Sequence, residues 1–488
     1  MNSIENVLIS VLKEITPNAE EINFTKNIIN KLKELLSYTA RKRNIHYTNI
    51  EAQGSTGIKQ TQLKGDYDID LFIGLDYNFY KPNYRGLSKN KLKSKSKKDF
   101  LELCKGWIIK SLTSKEFQNP RLLYAEHPYV TVDYITDNLK IEVDIVLYFT
   151  LPLEYIKNTG PLTAVDRSPW HGSFIKENLS TRQKNDVRLL KQFFKASHCY
   201  GDKSVVGKMG FFGYSAELLI FYYNSLLNLF NNFEFLKNTP LDFYKRPIEE
   251  LKKTTHFQND FLIIVDPIDK NRNVASAISD RAYKYCNYRI QEFLKKPSKE
   301  LFKIKPIPEE DLSTKKNSIL SNIYVVELKN KDPKMHYTIN RDKLYSLGQG
   351  MKLHGEKEFS HVDRFGRIEF ELYFEDNINE YSIAIYSEKS SISKAYLRKG
   401  PPVKSKFHVE RFKKKNPNFI EKNNYLWTET KREYTQFLSF LKDFIKDKIP
   451  ENLEILNLSH ALNAKSKTAK KAIYILNNFI LPFYKILQ

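Results

Sequence analysis

The sequence predicts an α+β fold: a mixed helix-and-strand segment over residues 1–155, a mainly helical one over 156–284, and a second mixed segment over 285–488. Three observations predict it. Alternation of apolar and polar residues marks strands in YDIDLFIGL (67–75) and LKIEVDIVLYF (139–149). Beyond Pro161 the apolar residues recur at helical spacing, in TRQKNDVRLLKQFFKA (181–196) and SAELLIFYYNSLLNLF (215–230). From about residue 285, short helices are interspersed with alternating strands such as NIYVVEL, RIEFELYF and YSIAIYS. A chain of 488 residues also exceeds what one hydrophobic core serves, so three or four domains are expected.

Two amphipathic helices open the chain, the second with Ile28, Leu32 and Leu35 on one face. The stretch GSTGIKQTQLKGDYDID (54–70) then reads as a Gly-Ser turn, a helix start rich in Lys and Gln, a Lys-Gly-Asp turn and a strand. KPNYRGLSKNKLKSKSKKDF (81–100) reads as a Lys- and Ser-rich loop running into a helix, either solvated or touching an RNA backbone. RLLYAEHPYVTVDYI and LKIEVDIVLYF are further strand segments joined by a tight turn at Thr136-Asp137-Asn138. His127, before a proline, reads as a hydrogen-bonded structural histidine rather than a ligand.

Ser180 and Gln183 form a capping box for the helix that follows. Val187, Leu190 and Phe194 are its buried stripe, and Lys184, Arg188, Lys191 and Lys195 share another face. A lysine stripe ordinarily faces solvent. This one ends in HCYGDKSVVGKMGFFGYSAELL, whose glycines and aromatics suit a helix entrance beside a ligand.

Lys and Arg number 79 against 57 Asp and Glu, a net charge of +22, which points to a polyanionic partner, nucleic acid or membrane. With 30 Tyr and 32 Phe the balance tilts toward unpaired bases, which stack on rings while cations follow the phosphates. The scattered Cys104, Cys199 and Cys286 give no disulfide framework or zinc site. No secretory signal opens the sequence and no apolar run is long enough to span a bilayer, so a soluble, cytoplasmic protein with no membrane partner is expected.

The chemistry is carried by Asp68 and Asp70. In a strand, residues i and i+2 project to one face roughly 7 Å apart. Such a pair of carboxylates is either a solvated surface or a site for a hard cation, and Mg²⁺ is commonly held by one or two carboxylates plus substrate phosphates. Gly54 and Ser55 just upstream offer backbone N–H groups and a hydroxyl to a triphosphate. Asp144, on the polar face of its strand opposite Ile141, Val143 and Ile145, is a candidate third ligand.

The succession GS…GDYDID, RLLYAEHPYV, IEVDIVLYF, TAVDRSPWH, NDVRLLKQFFKASHCYG, GFFGYSAELLI, VDPIDKNRNVA and GPPV…HVERF resembles the archaeal-type CCA-adding enzymes, the tRNA nucleotidyltransferases, over nearly the whole chain. The resemblance implies a polymerase β-like nucleotidyltransferase head, a neck, and a body and tail that grip the acceptor stem, TΨC arm and 3′ end of tRNA. It implies template-independent addition of C, C and A from CTP and ATP. It implies that Asp68, Asp70 and Asp144 bind the metal, Mg²⁺, and that Gly54, Ser55, His171, Lys191 and Tyr200 contact the nucleotide. Arg272 falls on the arginine that helps read the incoming base; pairing with Asp266 or Asp269 is its other reading. One departure stands out. The arginine expected soon after Ser55 is replaced by Ile58 or Lys59, of which Lys59 keeps the charge without the two-pronged phosphate contact. The alternatives are a poly(A)- or oligo(U)-adding polymerase, an oligoadenylate synthase, and a non-catalytic tRNA-binding protein. Oligomeric state is left open, a homodimer being one option.

Overall fold

In the computed structural model, which describes residues 3–124, 127–136, 139–313, 319–332, 335–359 and 361–484, the first strands form a five-stranded sheet. Its order is β1 (Asn49–Gln53), β2 (Ile69–Asp76), β5 (Leu139–Thr150), β4 (Pro128–Thr136) and β3 (Phe117–Tyr124). β2 and β5 run parallel; every other pair is antiparallel. Alternation gives the sheet two unlike faces. Leu71 and Ile73 of β2, Val130 and Val132 of β4, and Val143 and Ile145 of β5 enter one core with Ile28, Leu32 and Leu36 of the helix Ala19–Lys42. Phe100 and Trp107 complete that core. Asp70, Thr131 and Asp144 therefore lie on the other face.

The chain divides into two compact units. The first comprises residues 1–201, 211–278 and 286–304, and it holds the five-stranded sheet together with the helices Ser168–Asn178, Thr181–Ala196 and Gly213–Tyr223. The helix Asp280–Lys295 contributes residues to both units and runs through residue 284, where the sequence places the neck-to-body boundary. The second unit has an antiparallel sheet of β12 (Leu453–His460), β6 (Ile323–Asn330), β8 (Glu380–Ser387) and β7 (Ile368–Glu375). The helices Tyr337–Glu356 and Phe437–Lys448 bury Leu344, Met351, Phe437 and Phe440 in its core. A separate three-stranded sheet, β10 (Ile420–Lys422), β11 (Tyr425–Lys431) and β9 (Ala395–Pro402), carries the helix Lys406–Lys415.

Five local expectations are corrected. The segment after Gly54 is a series of turns and loop, with no helix, because Gln60 takes a positive φ of 56° that a helix cannot accommodate. The lysines near 91–98 belong to a helix, Lys89–Leu103, anchored by Leu92, Ser96 and Phe100 at spacings of four. One predicted helix over 215–230 is two, Gly213–Tyr223 and Leu226–Asn232, because Asn224 is left-handed (φ 64°) and Ser225 caps the second by accepting from Asn228 N–H. Asp68 precedes the ladder, since β2 begins at Ile69. RLLYAEHPYVTVDYI is divided between β3 and β4, and Asp137 and Asn138 of the expected turn lie outside the described residues.

Candidate active site

Parallel pairing sets Asp70 of β2 directly across from Asp144 of β5, and antiparallel pairing sets Thr131 of β4 beside Asp144. Strand geometry thus fixes two carboxylates side by side. Thr131 Oγ1 donates to Asp144 Oδ1 at 2.5 Å, which orients that carboxylate. Gly54, at φ +68°, turns the chain over Asp70 so closely that an added Cβ would stand 2.4 Å from Asp70 Oδ2. Only glycine fits there, on conformation and on space.

Burial raises the Asp70 pKa to about 6, and the negative charges of Asp144 and Asp68 push the same way against Lys59. Burial also raises Asp144, opposed by the Thr131 hydrogen bond, and desolvation followed by Asp66 raises Asp68. Asp68 and Asp144 thus make the ionisation of Asp70 harder, and a divalent cation would supply the missing positive charge. Among the described residues, no group of three or more His, Cys, Asp or Glu side chains is drawn together closely enough to hold a metal ion alone. A paired carboxylate site fits a cation that shares its remaining coordination with substrate phosphate.

These residues floor a cavity of about 440 Å³, whose lining includes Gly54, Lys59, Asp70, Asp144, His171 and Arg272. Asp266, fully buried, organises one wall. Its Oδ2 accepts from His171 Nε2 and from Arg272 Nη1, each at 2.8 Å, and its Oδ1 accepts from Tyr214 O–H at 3.1 Å and Ile268 N–H at 3.0 Å. Burial disfavours its charge, yet His171, Arg272 and the Ile268 N–H together hold the carboxyl well below the usual range. Burial lowers the His171 pKa despite Asp266, so the imidazole is neutral and donates through Nε2. The ring stacks on Tyr214 with centroids 4.3 Å apart. Asp269 is taken by Arg167 at 2.8 Å, which leaves Asp266 as the partner of Arg272.

Glu217, fully buried on the helix Gly213–Tyr223, organises a second wall by accepting from Lys59 Nζ and Thr61 Oγ1, both at 2.7 Å. Burial opposes its ionisation, but Lys59 and Lys191 hold its pKa below the ordinary value. Lys59 also lies 4.8 Å above the Tyr214 ring.

The basic stripe 184–195 does not simply face solvent. Arg188 donates to the carbonyls of Gln60 and Gln62, Lys191 to Thr61 O at 3.2 Å, and Lys195 to Asp66 at 3.0 Å. These contacts anchor the loop after Gly54 from outside, in addition to the backbone bonds it makes itself. Burial pushes Lys191 down to about 8, partly offset by Glu217.

Ser55, Asp68, Lys191 and Tyr200 stand outside the cavity lining. Ser55 O accepts from Thr61 N–H, which closes the loop. Tyr200 lies under Lys195, 5.4 Å from its ring centroid, and burial first, then Glu217, Asp66 and Asp68, keep its phenol neutral. Sequence reasoning missed Glu217, Tyr214, Thr131 and the organising role of Asp266. A lone acid in the apolar run SAELLIFYY, which could not be buried without cationic partners, was the available signal for Glu217.

A glycine-serine turn packed on a carboxylate that pairs with another across parallel strands is the frame of a nucleotidyltransferase. Two family models match: tRNA nucleotidyltransferase, second domain, over residues 185–303, and CCA-adding enzyme, C-terminal domain, over residues 363–450. The CCA-adding enzyme of Methanocaldococcus jannaschii is 31% identical over 477 residues, 95% of each chain. That of Methanococcus maripaludis is 30% identical over 460 residues, covering 91% of this chain and 92% of the relative. A solved structure of Cid1 poly(U) polymerase is a distant neighbour, at 16% identity and a TM-score of 0.45 over 62% of this chain and 100% of that one. The chain belongs to the CCA-adding enzyme family. Membership implies CCA addition to tRNA, with CTP and ATP as co-substrates and a divalent metal. Among the described residues no helix is long and apolar enough to cross a membrane.

Proposed function

We propose that this enzyme adds C, C and A in turn to the 3′ end of tRNA from CTP and ATP, rebuilding damaged ends as well as completing new ones, with Mg²⁺ held by Asp70 and Asp144 together with substrate phosphate and with Asp68 as the third acid beside them. The observation that carries the reading is the facing pair Asp70 and Asp144, closed over by Gly54 and walled by Arg272 and Lys59. When bound, the metal supplies charge neutralisation at the reacting phosphate and lowers the pKa of the attacking 3′-hydroxyl. Phosphoryl transfer otherwise asks the protein mainly to position its substrates. Gly54 and Ser55 cradle the triphosphate, while Lys59 and Lys191 bring positive charge to it around Glu217. His171, Tyr200 and Tyr214 form the nucleotide's surroundings.

Arg272 reads the base. Cytosine and adenine present a ring-nitrogen acceptor beside an amine, where uracil and guanine present an N–H donor, and a guanidinium has donors only. Asp266 fixes the orientation of that guanidinium. In this reading residues 1–155 are the catalytic head and 156–284 the neck. Residues 285–488 are the body and tail that take the acceptor stem and TΨC arm. The net charge of +22 supports an RNA partner, and a cytoplasmic location suits tRNA repair. A homodimer remains part of the proposal, to be settled by sedimentation.

The test offers each NTP with Mg²⁺ to tRNA lacking its terminal CCA and sequences the 3′ ends. The expected product stops after C, C and A. Long A or U tracts would identify the poly(A)- or oligo(U)-adding alternative, and no incorporation by a folded, tRNA-binding protein would sink the catalytic reading.

A further inference from the structure

The loop that carries Lys59 into the catalytic cavity also lines a separate cavity of about 700 Å³, with which the first shares no residue. We propose that this second cavity is a binding site for a phosphate-bearing anion, distinct from the nucleotide site. Its size falls within the roughly 300–1,000 Å³ of small-ligand sites. Three helices deliver cations to it: Lys26 and Lys33 from Ala19–Lys42, Lys176 from Ser168–Asn178, and Lys184 and Arg188 from Thr181–Ala196. Glu51 is the one carboxylate in the lining. Lys26, Lys33, Lys176 and Lys184 form no ion pair with any described residue.

Such convergence of like charges is unfavourable without a counter-ion. Lys184 registers it: burial first, then Arg188 and Lys176, lower its pKa. A second observation comes from Gln62, which lines the cavity at 6% exposure with a side-chain oxygen that has no hydrogen-bond partner. The NH₂ end of the same amide is the donor that an oxyanion would accept from. An RNA backbone or a free polyphosphate offers the same chemistry. Either would compete for Arg188, whose guanidinium now holds Gln60 O and Gln62 O, and so occupancy is coupled to the loop bearing Lys59.

The test titrates inorganic tripolyphosphate calorimetrically, in EDTA, into wild type, Asp70→Ala and the double variant Lys176→Gln/Lys184→Gln. Wild type and Asp70→Ala should bind alike, whereas the double variant should bind about tenfold more weakly through loss of two charge-assisted contacts. CTP binding and melting temperature should not change in the double variant. In parallel, tRNA affinity is measured against salt, where each lost phosphate contact lowers the log–log slope by about 0.7–0.9. A reduced slope assigns the phosphates to RNA. Weakened tripolyphosphate binding at unchanged slope assigns them to a small ligand. No change in either measurement overturns the proposal, as does a tighter tripolyphosphate isotherm in Asp70→Ala, since removing that carboxylate relieves repulsion only for a probe seated in the catalytic cavity.

Discussion

Asp266→Asn keeps the shape of the side chain at the centre of the base-reading wall and removes its charge. Four donors converge on this carboxylate, from His171, Arg272, Tyr214 and the Ile268 N–H. An amide offers one acceptor oxygen and turns an NH₂ toward the remaining donors, so at least one side loses its partner whichever way it is placed. Hydrogen bonds to charged groups contribute about 1.5–3 kcal/mol. If that orientation is used on the nucleotide, kcat/KM for CTP should fall roughly 10- to 100-fold, at about 1.4 kcal/mol per tenfold. UTP use should fall less, so the CTP to UTP preference narrows. The assay is single-nucleotide incorporation on tRNA lacking CCA, with a thermal melt alongside. A lowered melting temperature with the wild-type CTP to UTP ratio would refute the reasoning and leave Asp266 as a structural anchor. The pH dependence has a definite sign. The folded pKa of Asp266 is depressed, so its stabilising contribution is complete above the unfolded carboxylate pKa of about 4 and is lost as pH falls below it. The Asn variant should lack that acid-side loss.

Asp70→Ala should abolish incorporation while tRNA affinity, measured by filter binding, stays near wild type; turnover in this variant would remove Asp70 from the metal site. Gly54→Ala places a methyl 2.4 Å from Asp70 Oδ2 at a φ of +68°, so at least a hundredfold loss of activity is expected with only about 1–3 kcal/mol of destabilisation by urea unfolding. Lys191 has a folded pKa of about 8 against about 10.4 unfolded, so the unfolded chain binds more protons between those values. Stability should therefore rise with pH across that window, by about 2 kcal/mol between pH 7 and 10. Lys191→Met should erase that rise, as urea melts at the two pH values would show.

The carboxylate face was legible because a strand's period of two separates Glu142 and Asp144 from Ile141, Val143 and Ile145 whatever the strand packs against. The cap at Ser180 was equally local, and the structure has both of its reciprocal hydrogen bonds. What could not be read is held by distant partners. KQTQ resembles a helix start, but its carbonyls are bonded by side chains of the helix Thr181–Ala196, and Gln60 takes a positive φ. The stripe of Lys184 to Lys195 could be placed beside a ligand from its flanking glycines and aromatics, but not the loop that Arg188, Lys191 and Lys195 hold. SAELLIFYYNSLLNLF is apolar enough for one helix, and only the left-handed Asn224 followed by a capping Ser225 divides it. The partnership of Asp266 with Arg272 was within reach of sequence, whereas its contacts with His171 and Tyr214 join segments 95 and 52 residues away.

The bond from Arg188 to Gln60 O spans 128 residues of sequence, and that from Lys191 to Thr61 spans 130. During synthesis the five strands emerge before the helix that shapes the loop beside them, so for a time the sheet exists without a working cleft. At roughly 5–20 residues per second, that interval lasts several seconds. The N-terminal sheet alone is accordingly expected to present its carboxylates yet leave the loop unformed, and nucleotide capture becomes available only once the later helices have closed over it.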